Sequence, residues 1–421
     1  MSASKRLPDT QSSREIAIIC DTNPYPTRSG DNQRIAELIE VLRQQGWYVH
    51  LLLCGFLDHK SRKICRAHVD RLDVYAGTGW WSRVRNGARR TVRLVDRIGA
   101  PVGVPPLEEL TKRLLGRAVI PLIIDYWQRY PAGLDNYVAH LSKSCRWKAV
   151  IVEYIWLHRA VDKMNHGVTR LLDTHDLQYK RVEEFASRGM TFPLQLSREE
   201  ESRIFTKFDA VIAIQAAEAA LIREMCPKIK TVTVGASGSG QSSPASCPQN
   251  GRILYVGGYN GANIDGLRRF LSSAWPAIRA QNPHAKLHVC GYVYRAFLAE
   301  RFEHVTFLGH QESMEAEYAA ASIVINPAWI GTGLKIKTVE ALAYGKPLVT
   351  TAKGIEGLPL DVKQSTVVAD DDAEFAAAVS RLLADPEEHR RLSQSAAAFA
   401  RVHLNKQTVY RELLDFLEQT K

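Results

Sequence analysis

The chain has 421 residues, 45% hydrophobic and 24% charged, a balance typical of a globular protein large enough for two domains. Its longest apolar run, near AVIPLII, is shorter than the ~20 residues that span a bilayer, and the N-terminal MSASKRLPDTQSSRE lacks the apolar stretch of a secretory signal. The net charge of +10 is local: residues 51–150 carry 18 Lys and Arg against 8 Asp and Glu, and the other residues balance at 37 against 37.

Short β-branched runs recur along the first half, and each is followed by a helical pattern. The predicted strands are EIAIIC (15–20), YVHLLLC (48–54), AVIVEY (149–154), RLLDTH (170–175), AVIAIQ (210–215) and TVTV (231–234). After the first strand, PYPTRSGDNQR places Gly30 before an amphipathic helix, with Asp31 as a candidate N-cap. An ordinary strand–helix turn explains this glycine; close backbone approach to an acceptor or a donor phosphate is the interpretation that its position favours.

Residues 80–99, WWSRVRNGARRTVRLVDRIG, hold six arginines and a tryptophan pair. On a helix the apolar residues share one face and the arginines lie mostly elsewhere, a pattern that favours the headgroup zone of an anionic membrane. A helix packed inward with a solvated basic face remains open. Nucleic acid is not predicted, because no interleaved stacking aromatics or known binding module occurs.

A Gly/Ser/Pro-rich segment, GASGSGQSSPASCPQNG, separates these elements from a second series and reads as a linker. The second series of predicted strands is RILYV (252–256), KLHVC (286–290), VTFLG (305–309), SIVIN (322–326) and PLVTT (347–351). Alternating strands and helices indicate parallel sheets covered on both faces. The predicted fold class is therefore α/β, with two doubly wound Rossmann-like domains facing a central cleft. The predicted divisions are 1–236, a linker 237–250, 251–395 and a final helix over 396–421.

Residues 331–351, GTGLKIKTVEALAYGKPLVTT, predict a glycine loop and a helix after the strand SIVIN. Gly331 and Gly333 permit close backbone approach, the helix start offers N–H groups, and Lys335 adds a cation. This combination suits a diphosphate, and Glu340 is placed to accept hydrogen bonds from sugar hydroxyls. A plain turn with Lys337 and Glu340 as a surface i,i+3 pair is the alternative.

This segment resembles the C-terminal signature of the family 4 (group 1) glycosyltransferases, which have the GT-B fold. EALAYGKPLV is similar to the family's EA-A-G-P-V, and matches in the family's order continue elsewhere, at ILYVGGYNGANIDGLRRFLSSAWPAI, LHVCGY, VTFLGH, INPA and KGIEGL. PYPTRSGDNQR and LLDTHDLQYKR resemble the first glycine loop and the histidine-bearing strand end more weakly. The resemblance covers nearly the whole chain.

The resemblance implies catalytic roles for His175, Lys335 and Glu340. It implies that His175 binds the donor sugar or phosphate or polarises the acceptor, without acting as a general base. It also implies contacts to the nucleotide sugar by residues of the loops: Gly30, Gly257, Gly258, Gly291, His310, Gly331, Thr332, Gly333 and Lys337.

The chain departs from the family pattern at three positions. Most members have a glutamate where this chain has Thr332, and an arginine and a lysine where it has Gly258 and Asp265. A departing diphosphate still needs its developing charge neutralised. We therefore expect Lys335 and Lys337 to supply the missing cations.

The resemblance thus implies a retaining hexosyltransferase that uses a UDP- or GDP-linked sugar and no metal, with a lipid-linked or cell-envelope saccharide as acceptor. Seven cysteines without a C-x-x-C pair favour free thiols in a reducing cytoplasm over a metal site. The expected location is cytoplasmic, with peripheral contact to the inner face of the cell membrane. A sugar-nucleotide epimerase with the GT-B fold and a catalytically inactive membrane-associated scaffold remain as alternatives.

Overall fold

The computed structural model describes most of the chain, namely residues 14–25, 27, 30–55, 57–77, 130–187, 189, 194–238 and 251–420. The basic segment 80–99 lies outside these residues, as do positions 239–250 of the predicted linker.

The first sheet contains the predicted strands of the first half and one more, all parallel. Its members are β1 (Glu15–Cys20), β2 (Tyr48–Cys54), β3 (Arg71–Tyr75), β4 (Trp147–Glu153), β5 (Thr169–Asp173), β6 (Ala210–Ala213) and β7 (Lys230–Thr233). The described strands lie in the order β3-β2-β1-β4-β5-β6-β7. The order reverses direction between β1 and β4, and the carboxyl ends of strands at such a point form the usual ligand crevice of an open α/β sheet.

Helices cover both faces of this sheet because its central strands are apolar at nearly every position. The described helices here are α1 (Gly30–Gln44), α2 (His59–His68), α3 (Leu134–Ser144), α4 (Gln178–Ser187), α5 (Arg198–Phe205) and α6 (Ala216–Met225). Local signals set several ends: Asp58 caps α2, and Ser197 with Glu200 forms a capping box on α5. Asp31 lies in the first turn of α1, so its prediction as the N-cap is wrong.

The second sheet is also parallel and has the order β10-β9-β8-β11-β12-β13 among the described strands. Its strands are β8 (Arg252–Val256), β9 (Lys286–Cys290), β10 (Val305–Gly309), β11 (Ile323–Asn326), β12 (Leu348–Thr350) and β13 (Val367–Val368). Its helices are α7 (Gly261–Ser272), α8 (Ala274–Gln281), α9 (Glu315–Ala320), α10 (Ile336–Ala343), α11 (Asp372–Ala384) and α12 (Pro386–His403). This order reverses between β8 and β11, which places the loops after those two strands at the ligand crevice. The expected α/β architecture of two doubly wound domains is confirmed.

The last helix, α13 (Lys406–Gln419), returns to the N-terminal domain; it is shorter than the predicted 396–421, because position 396 lies inside α12. Val409, Tyr410, Leu413 and Leu417 are buried in the apolar core beneath β1 and β2. Glu412 also accepts the N–H of Thr233 at 2.8 Å, on edge strand β7. Burial of this stripe attaches α13 to the N-terminal domain, so the backbone passes from one domain to the other twice.

Within the described part of the chain, none of the helices combines the length and the apolar character that crossing a bilayer requires.

Candidate active site

A buried polar cluster forms the N-terminal wall of the cleft. His175 Nε2 lies 2.6 Å from Glu153 Oε2, and Arg34 donates to both oxygens of Asp173 at 3.0 and 3.1 Å. Arg34 also donates to the carbonyls of Val234 and Gly235, in the segment that leaves this domain. Burial opposes the imidazolium, but Asp173 and Glu153 outweigh it and raise the pKa of His175. This wall therefore favours a positively charged histidine.

The backbone next to His175 is strained. His175 and Tyr154 both have positive φ, 59° and 71°, which is uncommon for residues with a side chain. Their rings stack 3.8 Å apart, and the Tyr154 hydroxyl donates to Asp31 at 3.3 Å. Strain of this kind persists only where surrounding contacts enforce it, and it concentrates at functional sites. Tyr154 therefore connects His175 to the start of α1.

The glycine-rich loop of the C-terminal domain faces this wall. Gly331 and Gly333 have φ of 112° and 70°, values that favour glycine. The Lys335 ammonium donates to the carbonyls of Gly331 at 2.9 Å, Thr332 at 3.3 Å and Gly333 at 2.7 Å. Lys335 is thus the N-cap residue of α10 and also braces the loop before it. The cation lies at the predicted place, but it is already coordinated by its own loop.

Lys337 is buried one residue into α10. Its ammonium donates to Asn263 Oδ1 at 2.6 Å and to the Tyr255 hydroxyl at 3.3 Å, and it lies 4.6 Å from the centroid of the Tyr255 ring. Burial, assisted by the neighbouring Lys335, lowers the pKa of Lys337 to about 7. An anion bound beside Lys337 would restore its charge, so this lysine is suited to bind phosphate.

Glu340 lies one turn further along α10. Its Oε2 accepts a hydrogen bond from the Tyr318 hydroxyl at 2.9 Å, and the Tyr318 ring stacks on Tyr344. Burial raises the pKa of Glu340 although Tyr318 and Lys337 oppose the shift. The alternative of an exposed Lys337–Glu340 pair is wrong, because neither side chain is exposed and each has another hydrogen-bond partner.

The remaining predicted glycines pack closely at the carboxyl ends of β8 and β9. Gly291 has φ 89°, and a Cβ there would overlap the Gly257 carbonyl. A Cβ on Gly257 would lie 2.8 Å from the Tyr255 ring. The Gly258 carbonyl accepts from Asn263 Nδ2 at 3.0 Å. The loop that contains Gly257 and Gly258 therefore joins Tyr255 to Asn263, the two residues that accept hydrogen bonds from Lys337.

His310 forms an aromatic platform after β10. Its ring stacks on Tyr292 at 4.9 Å with only 8° between the planes, and the Arg295 guanidinium lies 5.0 Å from the Tyr292 centroid. A flat ring pair with a nearby cation is suited to stacking with a planar base.

Close contacts between the domains bring these two faces together. A Cβ on Gly30 would lie 2.8 Å from Ile336 Cγ1, and a Cβ on Gly333 would overlap the carboxylate of Asp176. The predicted glycines at positions 30 and 333 thus lie where one domain touches the other. Thr332 Oγ1 is buried and has no hydrogen-bond partner among the described residues.

Glu153, Asp173 and His175 also form a possible set of metal ligands, with their donor atoms within 4.8 Å of one another. Arg34 engages both oxygens of Asp173, and His175 Nε2 engages Glu153. A metal ion bound there would have to displace both ion pairs.

Four residues of the site are not predicted from the sequence, namely Arg34, Tyr154, Asn263 and Tyr318. Arg34 follows the predicted first loop within the RIAELIE pattern, where a charged residue normally indicates a solvated helix face. Asn263 and Tyr318 lie 74 and 22 residues from their partners, so the sequence carries no local signal for them.

Comparison with known proteins agrees with this geometry. Residues 250–385 match the family model described as glycosyl transferases group 1. An uncharacterized 44.6 kDa protein of the cps region of Klebsiella pneumoniae is 27% identical over 138 residues, which span 30% of this chain and 36% of that protein.

Solved structures resemble the chain over almost its full length. Sucrose-phosphate synthase from Thermosynechococcus elongatus has a TM-score of 0.63 at 17% identity, over 96% of this chain and 98% of that one. Anabaena HepE, in complex with UDP and glucose, has a TM-score of 0.62 at 12% identity, over 96% and 99%. S. aureus TarM, in complex with fondaparinux, α-GlcNAc-glycerol and UDP, has a TM-score of 0.68 at 10% identity, over 96% and 100%. The chain therefore has the GT-B fold, and its residues 250–385 match the model of the group 1 glycosyl transferases.

Proposed function

We propose that this protein transfers a hexose from a UDP- or GDP-linked sugar to a saccharide acceptor. The observation that carries the proposal is the pair of lysines at the start of α10, within the residues that match the group 1 family and where this domain contacts the domain of His175. In this reaction an acceptor oxygen bonds to the anomeric carbon, and the bond from that carbon to the diphosphate breaks. The proton of the acceptor hydroxyl leaves with the diphosphate or to solvent.

The donor diphosphate would bind at the N-terminus of α10. The free N–H groups of a helix start and the Lys337 ammonium attract the same anion. Charge develops on the diphosphate as the sugar leaves, so Lys335, and Lys337 once the bound anion has restored its charge, would stabilise the transition state more than the ground state. Glu340 would accept hydrogen bonds from the ribose, and the nucleobase would stack on the platform formed by His310 and Tyr292.

The acceptor would bind against the N-terminal wall. His175, held by Glu153 and favoured in its charged form, is suited to a donor phosphate or to an oxygen of either sugar. Asp31 and Tyr154 add a carboxylate and a phenol beside Gly30, and such groups bind sugar hydroxyls. The similarity to a protein of a cps region and the basic segment 80–99 support a cell-envelope or lipid-linked saccharide near an anionic membrane surface.

We also propose that the reaction is retaining and needs no metal. Retention is inferred from the group 1 family. Independence from metal is supported by the lysines, which supply positive charge at the diphosphate, and by the ion pairs that already engage the carboxylates of the N-terminal wall.

The test has two steps. Thermal unfolding is measured first with UDP, GDP and a panel of their sugars; a ligand present at about 100 times its Kd adds about 2.7 kcal/mol of stability. The stabilising donor is then incubated with and without saccharide acceptors in EDTA. We expect transfer of the sugar to an acceptor with the anomeric configuration preserved. A changed sugar nucleotide without acceptor would indicate an epimerase, and binding without any turnover would indicate an inactive scaffold.

A further inference from the structure

Helix α4 of the N-terminal domain reaches across the cleft to the glycine-rich loop. Glu184 Oε1 accepts the backbone N–H of Gly331 at 2.9 Å and lies 3.2 Å from Lys353 Nζ. Both charged side chains are largely shielded, with 19% of Glu184 and 28% of Lys353 exposed. One carboxylate oxygen thus binds an amide and an ammonium that both belong to the other domain.

This contact is part of a continuous seam. Phe185, the next residue of α4, lies 4.0 Å from where a Cβ on Gly261 would be, and Asp176 fills the space beside Gly333. Glycines of the C-terminal domain therefore face side chains of the N-terminal domain at three neighbouring points. A larger residue at Gly333 would clash with Asp176, which shows how closely the surfaces fit.

Residues 331–333 are held by one side chain from their own domain and by one from the other domain. Lys335, from the same domain, binds the carbonyls of the loop, and Glu184, from the other domain, binds the amide of Gly331. The first brace is present whenever the C-terminal domain is folded. The second is present only when the domains are closed on each other. Of the two braces, only the one from Glu184 joins the two domains.

Lys353 has a carboxylate partner in each domain. Its ammonium lies 3.0 Å from Glu356 in its own domain and 3.2 Å from Glu184 across the cleft. Position 332 of the loop is a threonine, so the loop itself has no carboxylate next to Lys353. Glu184 of the N-terminal domain supplies one.

We infer that Glu184 is a positioning residue that couples domain closure to the shape of the donor-binding loop. The inference rests on the proposed function. With Glu184 engaged, the Gly331 amide and the Lys353 ammonium are fixed beside the site proposed for the diphosphate. Without it, the loop retains the Lys335 brace, and the closed state loses two polar contacts between the domains.

The experiment compares Glu184→Ala, which removes both contacts, with Glu184→Gln, which keeps an acceptor for the amide but removes the charge. Two variants serve as matched controls. Glu183→Gln removes an exposed carboxylate from the same helix, and Glu356→Gln removes the partner of Lys353 that does not cross the cleft. Amide hydrogen exchange of the peptide containing residues 328–337 is measured on the full chain, together with UDP affinity, KM and kcat for the donor.

We expect faster exchange of the loop in Glu184→Ala, with kcat at least about tenfold lower and UDP affinity changed less than about threefold. Glu184→Gln should fall between Glu184→Ala and the unchanged protein, and the controls should behave as the unchanged protein. Unchanged exchange and kcat in Glu184→Ala would overturn the inference, as would tighter UDP binding with undiminished kcat, which would make Glu184 a competitor of the ligand. If exchange responds but the unchanged protein transfers no sugar to any acceptor, the proposed function fails and Glu184 is only an interdomain contact.

Discussion

Replacing Lys337 with methionine is expected to stabilise the protein below neutral pH and to abolish donor binding. Methionine has a similar length and keeps the apolar stem, but it brings no charge into the buried site. The Lys337 pKa of about 7, against the usual 10.5, means that the folded chain holds this proton about 5 kcal/mol less tightly than the unfolded chain does. Below pH 7 both states are protonated, so the full cost acts against folding.

The sign of the pH dependence follows from proton linkage. Between about pH 7 and 10.5 the unfolded chain binds one more proton at this site than the folded chain, so wild-type stability rises with pH relative to the variant. From pH 6.5 to 9 this change amounts to about 2–3 kcal/mol. The variant leaves Asn263 Oδ1 without its donor and removes one of the two hydrogen bonds of the Tyr255 hydroxyl, at a cost of about 1–3 kcal/mol. We therefore expect a net gain of about 2 kcal/mol at pH 6.5 that disappears near pH 9.

The assay is urea unfolding at pH 6.5 and 9, with UDP titrations at both values. Lys363→Met, at an exposed lysine of the same domain, is the control, and its stability relative to wild type should be the same at both pH values. If the difference between Lys337→Met and wild type does not change with pH, Lys337 does not lose its proton near neutrality. Retention of UDP affinity in the variant would contradict its proposed contact with the diphosphate.

Three further predictions concern the proposed site and the basic segment. Lys335→Ala should abolish transfer and weaken UDP binding in calorimetry by about 2–3 kcal/mol, because a charge-assisted contact and the loop brace are both lost; unchanged affinity would leave Lys335 as a brace alone. Glu340→Gln should raise the donor KM severalfold at an unchanged melting temperature, and a lower melting temperature at unchanged KM would identify a structural acid. The protein should sediment with anionic but not neutral liposomes, less so in high salt or when Arg89, Arg90 and Arg93 are replaced by glutamine; equal binding to both, or none, would contradict a membrane role for residues 80–99.

Much of the fold could be predicted because its strands are buried on both faces and therefore read as uninterrupted apolar runs. β1, β2, β8, β9 and β10 have the predicted ends, and the other predicted strands shift by one or two residues at their ends. The sequence analysis missed β3 and β13. β3 carries Arg71 and Asp73 and is only partly buried, whereas β13 has two residues. These strands form because a neighbouring strand pairs with them, and they lack the apolar run from which a strand is predicted.

The site could be predicted in position but only partly in its contacts. Strand ends, positive-φ glycines and a helix start are local features, so the loop 331–333 and His175 could be placed at the cleft. The partners of the lysines could not, because a buried ammonium takes whichever acceptors the tertiary fold brings near. Lys335 donates to carbonyls of its own loop, and Lys337 donates to Asn263, 74 residues away in the sequence. From the sequence alone, Glu184 is predicted to be an exposed charge on α4, because its partners Gly331 and Lys353 lie in the other domain.

These contacts change how donor binding should be understood. Each of the two lysines at the start of α10 already has protein acceptors, which are carbonyls for Lys335 and an amide and a phenol for Lys337. A diphosphate therefore exchanges hydrogen bonds rather than adding them, and its affinity reports only the difference. The protein acceptors stay neutral throughout the reaction. The phosphate oxygens gain negative charge as the sugar departs, so they bind the ammonium groups more strongly. In the proposed reaction this exchange would favour the transition state more than the bound substrate, and Lys337 would lower the barrier at a cost in stability of the fold.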